Sequence, residues 1–211
     1  MPRVTAKICG ITTSDALDAA IGGGASHVGL MFFPPSPRHL GFEQAAALAE
    51  RMPDAIDRVG VFVDPDDATL DAAITAARVD TIQLHNTTPA RAAAIGSRTG
   101  RAIWAAVPVR TRADVAAGRT FAGAADRLLY DAKTPDGALP GGMGMRFDWA
   151  LLDGVRHPLP WTLSGGLDPA NVAEAAMRTR AEMVDASSGL ESAPGIKDPA
   201  RITAFLNALP V

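Results

Sequence analysis

The stretch PWTLSGGLDPANVAEAAMR, residues 160–178, holds one complete structural unit. The aromatic and β-branched run PWTLS reads as a strand. Gly165 and Gly166 break it, and PANVAEAAMR continues with apolar residues at helical spacing. A strand that leads through a glycine loop into a helix is the repeating half of a parallel sheet, because parallel neighbours need a crossover.

The same rhythm extends in both directions. Toward the carboxyl end, AEMVDAS (181–187) and ARITAFLNAL (200–209) form an eighth pair. Toward the amino end, DRLLYDA (126–132) is a sixth strand, followed by a long glycine-rich loop and a short helix near Phe147 to Leu152. RAIWAAV (101–107) is the fifth strand, with a helix starting near Thr111 or Arg112, and TIQLH (81–85) is the fourth, with an alanine-rich helix from Pro89. RVGVFV (58–63) is the third. SHVGLMFF (26–33) precedes the proline-broken loop Pro34 to Pro37 and the helix EQAAALAERM (43–52). The first strand is Val4 to Cys9; Ser14-Asp15 is expected to cap a helix carrying Ala16, Leu17, Ala19, Ala20 and Ile21, which Gly22-Gly23-Gly24 ends. Eight units within 211 residues predict an α/β fold of one domain, a single (β/α)8 TIM barrel spanning residues 1–211. An open doubly wound sheet is the alternative, but it usually has fewer strands, and no G-x-G-x-x-G follows the first strand.

Composition narrows the partners. Apolar residues make up 47% and charged residues 20%, as in ordinary globular chains. A net charge of −3 provides no basic stripe for nucleic acid, and four scattered histidines make no metal cluster, so neither a metal nor an organic cofactor is expected. No stretch is apolar enough to span a membrane. The lone cysteine, Cys9, cannot form an internal disulfide, and MPRVTAKICG runs straight into the first strand; a cytoplasmic protein is expected. Oligomeric state is left open between monomer and homodimer.

In such a barrel the chemistry lies at the carboxyl ends of the strands. Alternation along each strand puts Lys7 with Cys9, Gln83 with His85, and Leu129 with Asp131 on common faces. If Ile8, Leu84 and Tyr130 face the helices, the polar set faces the barrel mouth. Cys9 is then a reachable thiol next to Gly10, against the plain alternative of a small buried hydrophobe. Asp131 is a general acid or base, against that of a solvated loop carboxylate. Gly165 and Gly166 after the seventh strand, and Ser187, Ser188 and Gly189 after the eighth, sit where these barrels hold phosphate, with loop and helix-start amides facing the anion. Turns needed only for chain reversal are the alternative. Arg38, in the loop after the second strand, presents a planar fork suited to a carboxylate. His85 reads as a hydrogen-bonding or packing residue, and Met143 and Met145 as packing residues of a covering loop.

The segments KICGIT, FFPPSPR, QLH, LLYDAK, GGMGMRFDW, LSGGLDPANV and VDASSGLESAPGIKD follow one another at strand ends along the whole chain. In that order they closely resemble the phosphoribosylanthranilate isomerase family of tryptophan biosynthesis, a branch of aromatic amino-acid biosynthesis. The resemblance implies an Amadori rearrangement of a phosphosugar, with Asp131 as the acid that opens the ribose ring and Cys9 as the base that removes the C2 proton. It further implies that Lys7, Arg38, Gln83, His85 and Asp185 bind substrate, with Arg38 on the anthranilate carboxylate. Two departures stand out: Asn86 where glycine is common, a residue that tolerates left-handed backbone, and Met143 where a small hydroxyl residue is usual. Other phosphosugar barrels, such as indole-glycerol-phosphate synthases or pentose-phosphate epimerases, rely on lysine and glutamate or on carboxylates and a metal. A noncatalytic phosphate-binding barrel would not need both Cys9 and Asp131.

Overall fold

The computed structural model describes residues 4–135 and 144–210. Eight parallel strands close into a barrel in sequence order: β1 (Thr5–Cys9), β2 (His27–Met31), β3 (Asp57–Val63), β4 (Thr81–His85), β5 (Ala102–Val109), β6 (Arg127–Ala132), β7 (Trp161–Leu163) and β8 (Met183–Ala186). The ring closes where β1 pairs with β8, Lys7 lying opposite Asp185. A two-stranded antiparallel hairpin, β9 (Glu191–Ala193) with β10 (Ile196–Lys197), follows the barrel. This is the expected architecture, and the open-sheet alternative is excluded.

The crossovers are α1 (Ser14–Gly22), α2 (Phe42–Arg51), α3 (Asp67–Ala77), α4 (Pro89–Thr99), α5 (Arg112–Ala117) and α6 (Val172–Thr179), with α7 (Pro199–Asn207) closing the chain. Local chemistry sets their starts. Thr13, not the expected Ser14-Asp15, caps α1 by accepting from Ala16 N–H; several residues of the T-T-S-D run are good caps, and sequence alone does not rank them. Thr111 and Asp114 form a capping box at α5. After β6 the expected short helix is a single 3-10 turn, Trp149–Leu152. No helix among the described residues is long and apolar enough to cross a membrane.

Strand alternation divides the interior as expected. Ile8, Leu84 and Tyr130 are fully buried in the layer between strands and helices. Cys9, Val59 and Val61 form a separate small cluster inside the barrel, with Met31 against it.

Candidate active site

Cys9 ends β1 and Asp131 stands one residue before the end of β6, and both line one cleft at the carboxyl rim. The cleft encloses about 640 Å³ of non-atom space, counting its open end. Gln83, His85, Arg38, Ser164, Gly165, Gly166, Asp185, Ser187 and Ser188 share its wall. Strand parity thus places the expected inward residues together. Met145 also lines it; Met143 lies outside the described residues.

Space for the thiol comes from Gly29, which pairs with Cys9 across β1 and β2. A Cβ at Gly29 would stand 2.8 Å from Cys9 Sγ and 3.1 Å from Lys7 Cε. Gly10, at φ +74°, leaves room for Arg38, whose Cδ would be 2.7 Å from a side chain there. The K-I-C-G run therefore places the thiol and admits the guanidinium.

Lys7 shows the limit of parity. It points inward but lies beneath the cleft floor with no exposed surface, so the expected direct contact with substrate is replaced by a buried ion pair. Its Nζ donates to Asp185 Oδ1 at 2.7 Å, and Ser164 Oγ donates to the other oxygen, Oδ2, at 3.0 Å. Burial pulls the Lys7 ammonium down, but Asp185 and Cys9 outweigh it and raise its pKa. Burial pushes the Cys9 thiol up, against the opposing pull of Lys7. Burial, then the charge of Asp185, lifts Asp131 to about 7, while its Oδ1 accepts from Ala132 N–H at 2.9 Å.

Gln83 Nε2 and His85 Nε2 are 3.0 Å apart. Burial, helped by Lys7, lowers His85 to about 4, so the ring is neutral near pH 7. The following Asn86 adopts the left-handed conformation expected of it, φ +53°.

At the β7 and β8 ends, Gly165 and Gly166 have φ of +91° and +61°, which favours glycine. A Cβ at Gly166 would meet the carbonyls of Gly144 and Met145 at 2.8 and 2.9 Å. The amides at the start of α6 are less available than expected, because Asp168 Oδ1 already accepts from Ala170 and Asn171 N–H. Gly189 is not part of the cleft wall; it lets this turn press against the Leu167 carbonyl, which a side chain would overlap. The loop segments 165–167 and 187–188 remain to face an anion.

Beside the β8 loop, the β9–β10 hairpin and the loop after β2 build a cluster of charge. Arg38, buried rather than solvated, donates from Nε and Nη2 to Glu191 Oε1 and Oε2 at 2.6 and 2.8 Å. Lys197 Nζ reaches Glu191 Oε1 at 2.5 Å and Ser187 Oγ at 3.4 Å. Burial opposes the Glu191 charge, yet Arg38 and Lys197 hold its carboxyl below the usual range. Glu191, Lys197, Ser164 and Gly29 escape a reading by strand ends. The usable signals were a Pro194-Gly195 turn between two short polar strands and a glycine in mid-strand. Among the described residues, no group of three His, Cys, Asp or Glu could hold a metal ion.

A family model described as N-(5'phosphoribosyl)anthranilate (PRA) isomerase matches residues 6–208. A protein of that name from Paramagnetospirillum magneticum is 53% identical over 207 residues, covering 97% of this chain and 96% of its own. Another from Zymomonas mobilis subsp. pomaceae is 50% identical, covering 98% of each chain. Among solved structures, phosphoribosyl anthranilate isomerase from Thermotoga maritima superposes with TM-score 0.87 at 32% identity, covering 97% of this chain and 98% of that one. A phosphoribosyl anthranilate isomerase in complex with reduced 1-(o-carboxyphenylamino)-1-deoxyribulose 5-phosphate superposes with TM-score 0.84 at 30% identity, covering 97% of each.

Proposed function

The chain belongs to the N-(5'-phosphoribosyl)anthranilate isomerase family, and from that premise we infer which of its residues perform the reaction. The protein is an isomerase of tryptophan biosynthesis that converts N-(5'-phosphoribosyl)anthranilate to 1-(2-carboxyphenylamino)-1-deoxyribulose 5-phosphate by an Amadori rearrangement. Asp131 donates its proton to the ribose ring oxygen as the C1–O bond breaks, and the anthranilate nitrogen lone pair forms the Schiff base. The Cys9 thiolate then takes the C2 proton; the electrons of that bond form C1=C2, and those of C=N return to nitrogen. The enolamine so formed tautomerises to the ketone. Gly165, Gly166, Ser187 and Ser188 hold the phosphate, with Gly189 shaping their turn, and Arg38 meets the aryl carboxylate. Gln83, His85 and Asp185 contact the sugar, and no cofactor takes part.

One observation carries this reading: a half-buried carboxyl, raised by burial and by Asp185, lines the same cleft as a thiol, the glycine and serine loops and a buried arginine. At neutral pH a large share of Asp131 keeps its proton, as a general acid requires. The chain, taken as one catalytic domain of residues 1–211, works in the cytoplasm as a monomer or homodimer, which light scattering of the purified protein resolves. Loss of phosphoribosylanthranilate fluorescence on adding the protein tests the reaction. No loss above the uncatalysed background would leave only a noncatalytic phosphate-binding barrel.

A further inference from the structure

The buried ion pair of Lys7 and Asp185 lies in the floor between the two reacting groups and has a direction. Its ammonium end is on β1, two residues from Cys9 on the same strand face, with Gly29 leaving Lys7 Cε and Cys9 Sγ side by side. Its carboxylate end is on β8, and Ser164, on the strand end leading to Gly165, donates to its outer oxygen at 3.0 Å. A Cβ at Gly165 would stand 3.1 Å from Asp131 Oδ1, so the strand end that holds Ser164 also touches the acid. The side chains of the pair are 0% and 6% exposed, so water screens little of the field.

We propose that the Lys7–Asp185 pair is an oriented dipole that sets the working protonation of the site, holding Cys9 toward thiolate and Asp131 toward the acid. The proposal rests on the assigned roles of Cys9 and Asp131. The reaction needs the reverse of their ordinary states, since an isolated aspartate is ionised and an isolated thiol protonated near pH 7. Burial alone meets half of that need: it raises Asp131 and also raises Cys9, the wrong way for a base. An element of opposite sign at its two ends can push one down and the other up, provided each end lies nearer its own target. Among charged groups, Lys7 acts most strongly on Cys9 and Asp185 on Asp131. Each end also works on the other's target, Asp185 raising Cys9 and Lys7 lowering Asp131, but more weakly than the near end does. The other groups facing these two are Lys197 from β10, which also draws Cys9 down, and the Ala132 amide and Ser164 hydroxyl, which draw Asp131 down. Histidines cannot substitute, because His27 and His85 are both lowered to about 4 by burial and by Lys7. Lys7 is therefore a positioning residue acting through Cys9, and Asp185 adds an action on Asp131 to its own place in the cleft wall.

The double variant Lys7→Met/Asp185→Asn tests this without changing net charge. A neutral replacement of a buried pair is commonly tolerated, whereas either single change leaves one charge buried alone. The amide introduced by Asp185→Asn also keeps an oxygen for Ser164. Cys9 is the only cysteine, so the pH dependence of iodoacetamide alkylation reads its titration without turnover. Carboxyl 13C NMR of aspartate-labelled protein, with Asp131→Asn identifying the resonance, reads the acid. The two titrations should move in opposite directions, Cys9 up and Asp131 down, each by about one pH unit or more. Titrations that stay in place, or move together, in a variant with native circular dichroism would overturn the dipole. If that variant does not fold, the neutral hydrogen-bonding pair Lys7→Gln/Asp185→Asn carries the same expectation, and an unmoved Asp131 would be equally fatal. Neither readout requires activity, so a failure of the catalytic assignment would appear separately, as turnover surviving Cys9→Ala.

Discussion

Two parts of the cleft wall are built by different means. After β7 and β8 the materials are glycines at φ +91° and +61°, loop amides and the hydroxyls of Ser187 and Ser188. Between the loop after β2 and the β9–β10 hairpin they are fixed charges, Arg38 and Lys197 on either side of Glu191, with Lys197 reaching Ser187 at 3.4 Å. Loop amides and hydroxyls carry no formal charge of their own, and the nearest cation, Lys197 beside Ser187, is already paired with Glu191. The Arg38 fork is held by the two Glu191 oxygens at 2.6 and 2.8 Å, a buried guanidinium supported by a carboxylate. One part is specified by backbone shape and the other by a salt-bridge network, so they should fail differently when altered.

The largest effect is expected in the charged part. Glu191→Ala leaves Arg38 and Lys197 without their shared carboxylate, so urea denaturation should show a loss of about 3–5 kcal/mol. An unchanged midpoint would mean that the network contributes nothing to the fold. In the loop part, Gly166→Val demands φ +61° of a branched residue and meets the 144–145 carbonyls. It should raise KM and weaken a phosphorylated product analogue at least about tenfold, or ~1.4 kcal/mol, with affinity for a dephosphorylated analogue nearly unchanged. Equal weakening of both analogues would erase the distinction between the two parts. Arg38→Met is the milder change in the charged part. It should raise KM about tenfold with kcat within a few-fold, because uniform binding is lost rather than transition-state contact. A KM that does not move removes Arg38 from substrate recognition.

Strand-local features were legible because they repeat every two residues. Cys9, Gln83, His85 and Asp131 reach the mouth by alternation, and the glycines after β7 are read directly from the break in the apolar run. The ion pairs were not legible. Lys7 meets Asp185 across 178 residues of chain, because barrel closure pairs β1 with β8 in a register that no periodicity encodes. Arg38 and Glu191 meet because Gly195, at φ +81°, lets the hairpin press on the Pro37 carbonyl. Lys7 was placed on the correct face, but how deep it lies is a property of the packed barrel.

The central claim is that Asp131 gives a proton and Cys9 takes one. Asp131, lifted to about 7 by burial and Asp185, holds its proton below that pH and loses it above, so the acid-dependent rate should fall as pH rises through about 7. The most direct measurement is kcat of Cys9→Ala and of Asp131→Asn, each beside circular dichroism and product-analogue affinity. Losses of about a hundredfold or more, equivalent to about 3 kcal/mol, are expected with the fold intact and affinity within a few-fold. A folded variant of either residue that kept more than roughly a tenth of the parent rate would contradict that claim.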